Sequence, residues 1–557
     1  MTIIQTEPTT NIETARQSPV QVEKPLLRSY HAARWDEPLI FQLDAEGHRG
    51  IAVPSTDPAQ LEGNPESAFR RRDVAALPQI GQSQVLRHYL RLSQETLGAD
   101  LNVDIGQGTC TMKYSPKVNE RFAGSGQSVH THPLQDVSTM QGTLQILHEL
   151  EAYLAEVSGM DAVSLQAGSG SAAIYGNVKI VQAYHESRGE GDVRDEIITT
   201  VFSHPSNAAT AKTAGYKIIT LYPDENGFPD LEALKSVISE RTAALFITNP
   251  EDTGIFNPRI TEYVDAVHEV GGVCVYDQAN ANGLLGIARA REAGFDLCHF
   301  NLHKTFSTPH ACGGPAAGAI GATAELAAFL PGRRVIKNSK GYAWQEQSEQ
   351  ATADIRPFHG VIPNLIRAYS WIRSLGAEGL RQVSEIAVLN NNYLLAEILK
   401  IEGISAPYAA GQHRVEQVRY SWSELTEETG ISSAQIGARM ADHGMHYWTS
   451  HHPYIVPEPV TLEPTESYSK RELDEYIAAL RNTAMEARME PEILQDAPHR
   501  SSIHTVDVDA MTDPDTWATS WRAFRRKYQG EDFAQVPRWE PLEDLPARPR
   551  PPKAHHR

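Results

Sequence analysis

Between about residue 140 and 325 the chain alternates short apolar runs with stretches of helical periodicity, and this alternation constrains the fold more than anything else in it. Helical spacing covers Thr143 to Val157. An apolar run, Ala162 to Gln166, follows, then Gly168-Ser169-Gly170-Ser171 and a second helical stretch through Tyr184. Strand-like segments start at Glu196 (EIITTVF) and cover Lys217 to Tyr222, Ala244 to Asn249, Val273 to Asp277 and Leu297 to Leu302, with helical segments between them. Strands alternating with helices in this way build a mostly parallel sheet with helices on both faces. The fold class is therefore α/β, with a large unit over 131–365. Ligands of such sheets bind at the carboxyl ends of the strands. A long helical stretch from about 365 to 400, then mixed segments, predicts a smaller C-terminal α+β domain over 366–498. Residues 1–25 read as a disordered tail, 26–130 as an N-terminal arm and active-site loop segment, and 499–557, with its run PARPRPP, as a partly disordered extension.

Charge narrows the function. The formal net charge is −20, from 70 acidic and 50 basic residues, which argues against nucleic acid or an anionic membrane as partner. Cys110, Cys274, Cys298 and Cys312 match neither a zinc pattern nor a redox pair, so reduced, buried thiols and a cytoplasmic location are expected. No apolar run reaches membrane-spanning length, and no secretion signal opens the chain. His451 and His452 are adjacent and face opposite sides if extended, so no metal site is expected.

Three strand ends carry the chemistry. The run Leu297 to Leu302 stops abruptly at His303-Lys304-Thr305 before a Gly/Pro-rich stretch. A buried amine is more easily neutral, and a neutral amine attacks an aldehyde to form a Schiff base. A surface lysine after a strand is the plainer alternative. Asp277 closes VCVYD. A carboxylate there needs a partner, and a protonated pyridine nitrogen is one; a helix cap or turn is the alternative. The Gly168-Ser169-Gly170-Ser171 segment lets backbone N–H groups and the hydroxyls of Ser169 and Ser171 reach a phosphate, or else makes a capped turn. Acid, amine and phosphate cup in this arrangement suit pyridoxal 5'-phosphate. Ala279 is small enough to lie against a ring face. His303 or Thr305 can reach the phosphate, Asn207 the cofactor's phenolic oxygen, and His204 the ring or the substrate in a catalytic role. His310, beside the glycine-rich segment, can shape the substrate pocket.

Several segments together are specific: GTCTMKYSP from Gly108, His132-Pro133-Leu134-Gln135, Asn249-Pro250, Asp277-Gln278-Ala279-Asn280, NLHKTFSTP from Asn301, and IVPEPVTLEPTE from Ile455. With them the chain resembles subunit 2 of the glycine cleavage system P-protein, from about Glu37 to Pro498. The resemblance implies a fold type I aminotransferase-like architecture, a pyridoxal-phosphate decarboxylase acting on glycine with aminomethyl transfer to a lipoyl carrier protein, Lys304 as the Schiff-base lysine and Asp277 as the pyridinium partner. It implies a subunit 1-like partner or a homodimer-like pairing, and it places Lys113 and Tyr114 near the active site. The chain departs from the usual pattern in places. QAGSGSAAIYG stands where QPAAGAHGE is usual, so that Ala172 takes the place of a histidine expected over the cofactor ring. Ala311-Cys312 replace two of four glycines, Gln278 stands in DQAN for DGAN, and Glu251-Asp252 follow Asn249-Pro250 where the usual run is NPNT. These departures and the C-terminal segment define the alternative: a stand-alone enzyme remodelling another small amino acid without a lipoyl partner.

Overall fold

The computed structural model describes Leu27, Ala33, residues 37–48, Gly50, and residues 77–95, 102–103, 105–106, 113–309, 316–447 and 455–501. The tail over 1–25, Cys110, His310, Ala311, Cys312, His451, His452 and nearly all of the C-terminal extension lie outside the described residues.

Seven strands form the central sheet: β1 (Ala162–Ser164), β2 (Glu196–Thr200), β3 (Lys217–Leu221), β4 (Thr242–Thr248), β5 (Val273–Gln278), β6 (Leu297–Asn301) and β7 (Gly318–Ala322). Their order is β1-β7-β6-β5-β4-β2-β3. The pairs β2–β3, β2–β4, β4–β5 and β5–β6 are parallel; β7 runs antiparallel to both its neighbours. The period-two rule sorts side chains into two cores. Leu245, Ile247, Cys274, Tyr276, Cys298 and Phe300 pack with Leu144, Leu147, Leu150 and Leu154 of the helix Gln141–Ser158. Phe246, Val273, Val275 and Leu297 face the other way, onto Ile174, Val178 and Val181 of the helix Gly170–Ser187. Each such fully buried side chain contributes about 2 kcal/mol of hydrophobic stabilisation. With both faces covered, the strands read as unbroken apolar runs.

β7 carries no such signal, because its sequence is Gly-Ala-Ile-Gly-Ala. Its residues are small for steric reasons. A Cβ on Gly318 would stand 2.8 Å from the carbonyl oxygen of Ser169, and one on Gly321 2.8 Å from Cys298 Sγ. The antiparallel strands β8 (Val335–Asn338) and β9 (Gly341–Trp344) form a separate hairpin.

The helix Ile362–Ile398 carries the chain from the first core into another. Leu365, Trp371 and Ile372 pack in the sheet core, and Leu394, Leu395 and Ile398 in the second. Between them Gly376 leaves helical geometry (φ 66°, ψ −176°), a conformation open to glycine. The second core gathers around the antiparallel pair β10 (Val418–Ser421) and β11 (Pro459–Leu462), with Tyr420 and Trp422 fully buried beside Tyr476 and Leu480 of the helix Lys470–Met489. Among the described residues no helix is long and apolar enough to cross a membrane.

Candidate active site

Strand parity brings the first group together. Asp277 follows Val273 and Val275 on the face under the helix Gly170–Ser187, and His299 and Asn301 follow Leu297 on that face. Register sets Asp277 opposite His299, and Asp277 Oδ1 lies 3.1 Å from His299 Nε2, outside hydrogen-bond geometry. Asn207 Nδ2 donates to Asp277 Oδ2 at 2.9 Å, and the Ala279 N–H donates to Oδ1 at 3.0 Å. Burial pushes the Asp277 carboxyl up, but the His299 imidazole, the Asn207 amide, the Ala279 N–H and His204 outweigh it and hold the acid below its ordinary value. Asp277 is thus a buried carboxylate kept ionised. Burial lowers His299, with Asp277 opposing.

Lys304 lies in the turn after β6, its N–H donating to the Asn301 carbonyl at 3.0 Å; the residue is 4% exposed. Its neighbours fasten this turn. His303 Nδ1 sits 2.9 Å from the Ala317 carbonyl oxygen, Thr305 Oγ1 accepts from the Ala281 N–H at 2.9 Å, and Ser307, at φ 57°, donates through Oγ to the Tyr114 carbonyl at 2.5 Å. The expected phosphate contacts His303 and Thr305 therefore hold backbone on either side of the lysine, and Thr305 ties the Asp277-Gln278-Ala279 strand end to it.

The glycine turn leads into the helix Gly170–Ser187. Ser169 is its N-cap, Oγ accepting from the Ala172 N–H at 3.1 Å, while Ser171 is exposed. His204 caps the helix Pro205–Thr213 in the same way, with Nδ1 accepting from the Ser206 N–H at 3.2 Å. Asn207 is wholly buried, one turn further.

The sequence reading named Lys113 and Tyr114 as near the site and Glu251 and Asp252 only as departures, and gave Arg419, Glu416 and Glu463 no role. After β4, Glu251 Oε1 accepts from Thr200 Oγ1, and Asp252 Oδ2 pairs with Arg419 Nη2 of β10 at 2.9 Å, both buried. Burial raises Asp252 against the charges of Arg419, His204 and Lys304, while Asp277 adds to the rise. Burial pushes Glu251 up to about 8. Burial also raises Glu416, beside Glu463 and Asp252. Glu463, inside the EPTE run, accepts from Asn280 Nδ2 at 2.5 Å and Asn282 Nδ2 at 2.7 Å. Lys113 Nζ is buried 3.0 Å from Glu466 Oε2 and 4.8 Å from the Trp371 ring centre; burial lowers it against the pull of Glu466. Tyr114 is exposed and bridges Ser307 to Ser467. His299 was legible through strand parity and Glu463 through its motif. Asp252 and Arg419 carried no signal of their pairing.

A buried amine, an ionised carboxylate in its pocket, and a glycine turn with no room for a side chain at Gly170 suit pyridoxal 5'-phosphate in charge and space.

Comparison with known proteins agrees. The family described as "Glycine dehydrogenase, C-terminal domain" matches residues 383–499, and "Aminotransferase class-V" matches 175–314. A protein of Pyrococcus horikoshii called "Probable glycine dehydrogenase (decarboxylating) subunit 2" is 40% identical over 506 residues, covering 90% of this chain and 99% of the relative. One of the same description from Oceanobacillus iheyensis is 38% identical over 472 residues, covering 84% and 96%. Among solved structures, glycine decarboxylase (P-protein) of the glycine cleavage system, in inhibitor-bound form, matches with a TM-score of 0.63 at 19% identity, over 76% of this chain and 94% of that one. At that identity the likeness speaks for the fold, which is fold type I.

Proposed function

The chain belongs to the family of glycine dehydrogenase (decarboxylating) subunit 2, and from that premise we propose that it binds pyridoxal 5'-phosphate at the carboxyl ends of β5 and β6 and decarboxylates glycine within a glycine cleavage system. The observation that carries the reading is that Asp277 and Lys304 stand at the carboxyl ends of the adjacent strands β5 and β6, which Thr305 ties together through the Ala281 N–H. When bound, the cofactor supplies an electron-accepting ring conjugated to the substrate amine.

The chain's residues do the rest. Lys304, a buried residue, would hold the cofactor through its side-chain amine. Asp277, kept ionised by the His299 imidazole, the Asn207 amide and the Ala279 N–H, would be the anionic partner of the cofactor's ring nitrogen and favour its protonated form. The N–H groups of the turn at Ser169, Gly170 and Ser171 would hold the cofactor's phosphate. Ala279 would lie against the ring, and His204 would contact the ring or the substrate. His303 and Thr305 keep Lys304 aimed through their backbone bonds. A subunit 1-like partner or a homodimer-like pairing completes the enzyme, a lipoyl carrier protein receives the aminomethyl group, and the assembly works in the cytoplasm.

The test is exchange of labelled bicarbonate into the glycine carboxyl, with and without lipoylated carrier. Wild type is expected to exchange and to show a visible cofactor band. Lys304→Ala is expected to lose the band and at least about 1,000-fold in rate. A colourless wild-type protein indifferent to added cofactor would overturn the reading.

A further inference from the structure

Both glycines of the turn before the helix Gly170–Ser187 lie under polar side chains. A Cβ on Gly168 would stand 2.6 Å from Arg356 Nη1, and one on Gly170 would stand 2.4 Å from both Oδ1 and Nδ2 of Asn301. Asn301 is 7% exposed, and its Oδ1 has no hydrogen-bond partner among the described residues. Arg356 Nε is likewise buried without a partner, and no ion pair engages its guanidinium among the described residues. A guanidinium keeps its charge at any ordinary pH. Arg356 as a residue is half-buried, and its buried Nε is an N–H left without an acceptor, which is costly. Nor is this side chain adrift. Gln166 Oε1 accepts from the Ile355 N–H at 2.9 Å, and Gln166 Nε2 donates to the Phe358 carbonyl at 3.3 Å, fastening the backbone on both sides of Arg356 to the end of β1.

We propose that Arg356 is a ligand for a small oxyanion held at the Gly168–Gly170 turn, with Asn301 as the second side chain of that site. The inference rests on the cofactor reading above. Two oxyanions come to such a site: the cofactor's phosphate and the carboxylate of the amino acid. The planar fork of the guanidinium suits either, and the helix N-terminus beside it adds N–H donors. Asn301 presents an amide whose donor end can face the turn, since both its terminal atoms lie equally close.

The experiment compares wild type with Arg356→Gln and Arg356→Lys, stripped of cofactor and then titrated with pyridoxal 5'-phosphate and, separately, with pyridoxal, which lacks the phosphate. The KM for glycine in bicarbonate exchange is measured alongside, with thermal midpoints as the folding control. A phosphate ligand predicts that Arg356→Gln binds the phosphorylated cofactor about tenfold more weakly and pyridoxal as well as wild type does. A carboxylate ligand predicts unchanged cofactor affinity and a KM raised about tenfold. Arg356→Lys falls between in either case, and it carries the comparison if the glutamine variant does not fold. Variants equal to wild type in both measurements overturn the proposal while leaving the cofactor reading intact. A wild type that binds no cofactor overturns both.

Discussion

The same two side-chain types meet at opposite ends of the strands β5 and β6, with opposite results. At the carboxyl end Asp277 faces His299, each side chain 1% exposed. At the amino end Asp296, just before β6, accepts from the Cys274 N–H of β5 at 2.7 Å and lies 2.8 Å from His268 Nε2, with side chains 23% and 37% exposed. Burial drives His299 below its ordinary value, whereas the hydrogen bond to Asp296 raises His268 above its own. An aspartate stabilises an imidazolium in both places, but only the pair in contact with water avoids the desolvation that favours the neutral ring. The amino-end pair closes on itself and latches two strands. At the carboxyl end the acid is held ionised by the His299 imidazole first and then by the Asn207 amide and the Ala279 N–H, and His299 lies outside hydrogen-bond geometry with it. Cys274, buried behind the latch, completes a His-Cys-Asp set within 4.8 Å, and its bonds are accounted for by strand latching.

Substitution at the two acids tests this contrast most strongly. Asp277→Asn is expected to slow bicarbonate exchange by about 100-fold or more, as loss of a charge aimed at the reacting group does, while Asp296→Asn stays within about twofold of wild type. Equal losses in exchange rate would mean that the two ends do not differ in function. Next in size is a buried acid that pairs with no cation among the described residues. Glu251 is pushed up to about 8 in the folded chain, so between its ordinary value near 4.5 and pH 8 the unfolded chain gives up this proton while the folded chain keeps it. Stability then falls as pH rises through that window. Glu251→Gln should raise the denaturant midpoint by an amount that grows from pH 5 to pH 8; a gain independent of pH would exclude titration of this carboxyl. Third, Asp296→Asn should cost about 1–3 kcal/mol in urea unfolding at unchanged m, because it weakens the acceptor of a strand N–H. The smallest effect belongs to His268. Its folded value is raised, so its contribution is full below its ordinary value near 6.5 and is lost as pH rises through the folded value. His268→Gln should remove a slope worth less than about 1 kcal/mol, given the exposure of the pair; a slope of equal size in the variant would assign it elsewhere.

The strands that bear the site were legible because they are covered on both faces. Thr242–Thr248, Val273–Gln278 and Leu297–Asn301 read as apolar runs, and the polar residues that end them stand out against those runs. β7 was invisible for the opposite reason: its neighbours come so close that only small residues fit, and small residues carry no strand signature. His303 or Thr305 was given as able to reach the phosphate, and Ser169 as a phosphate contact or a capped turn, all by residue type. The structure places each in a bond to backbone, where such side chains are equally at home.

Residue order alone settled the alternating architecture, the strand ends, and the amine and the acid that stand at them, since periodicity and chemical type are properties of the chain itself. Which partners those groups meet was left to the folded state. The approach of Arg356 to Gly168, the pairing of Asp252 with Arg419, and the difference between the two Asp–His pairs all join segments far apart in the chain. Charge, dielectric and hydrogen bonding act through space, so the titration and the unpartnered atoms of Asn301 and Arg356 exist only once packing has set who is buried beside whom.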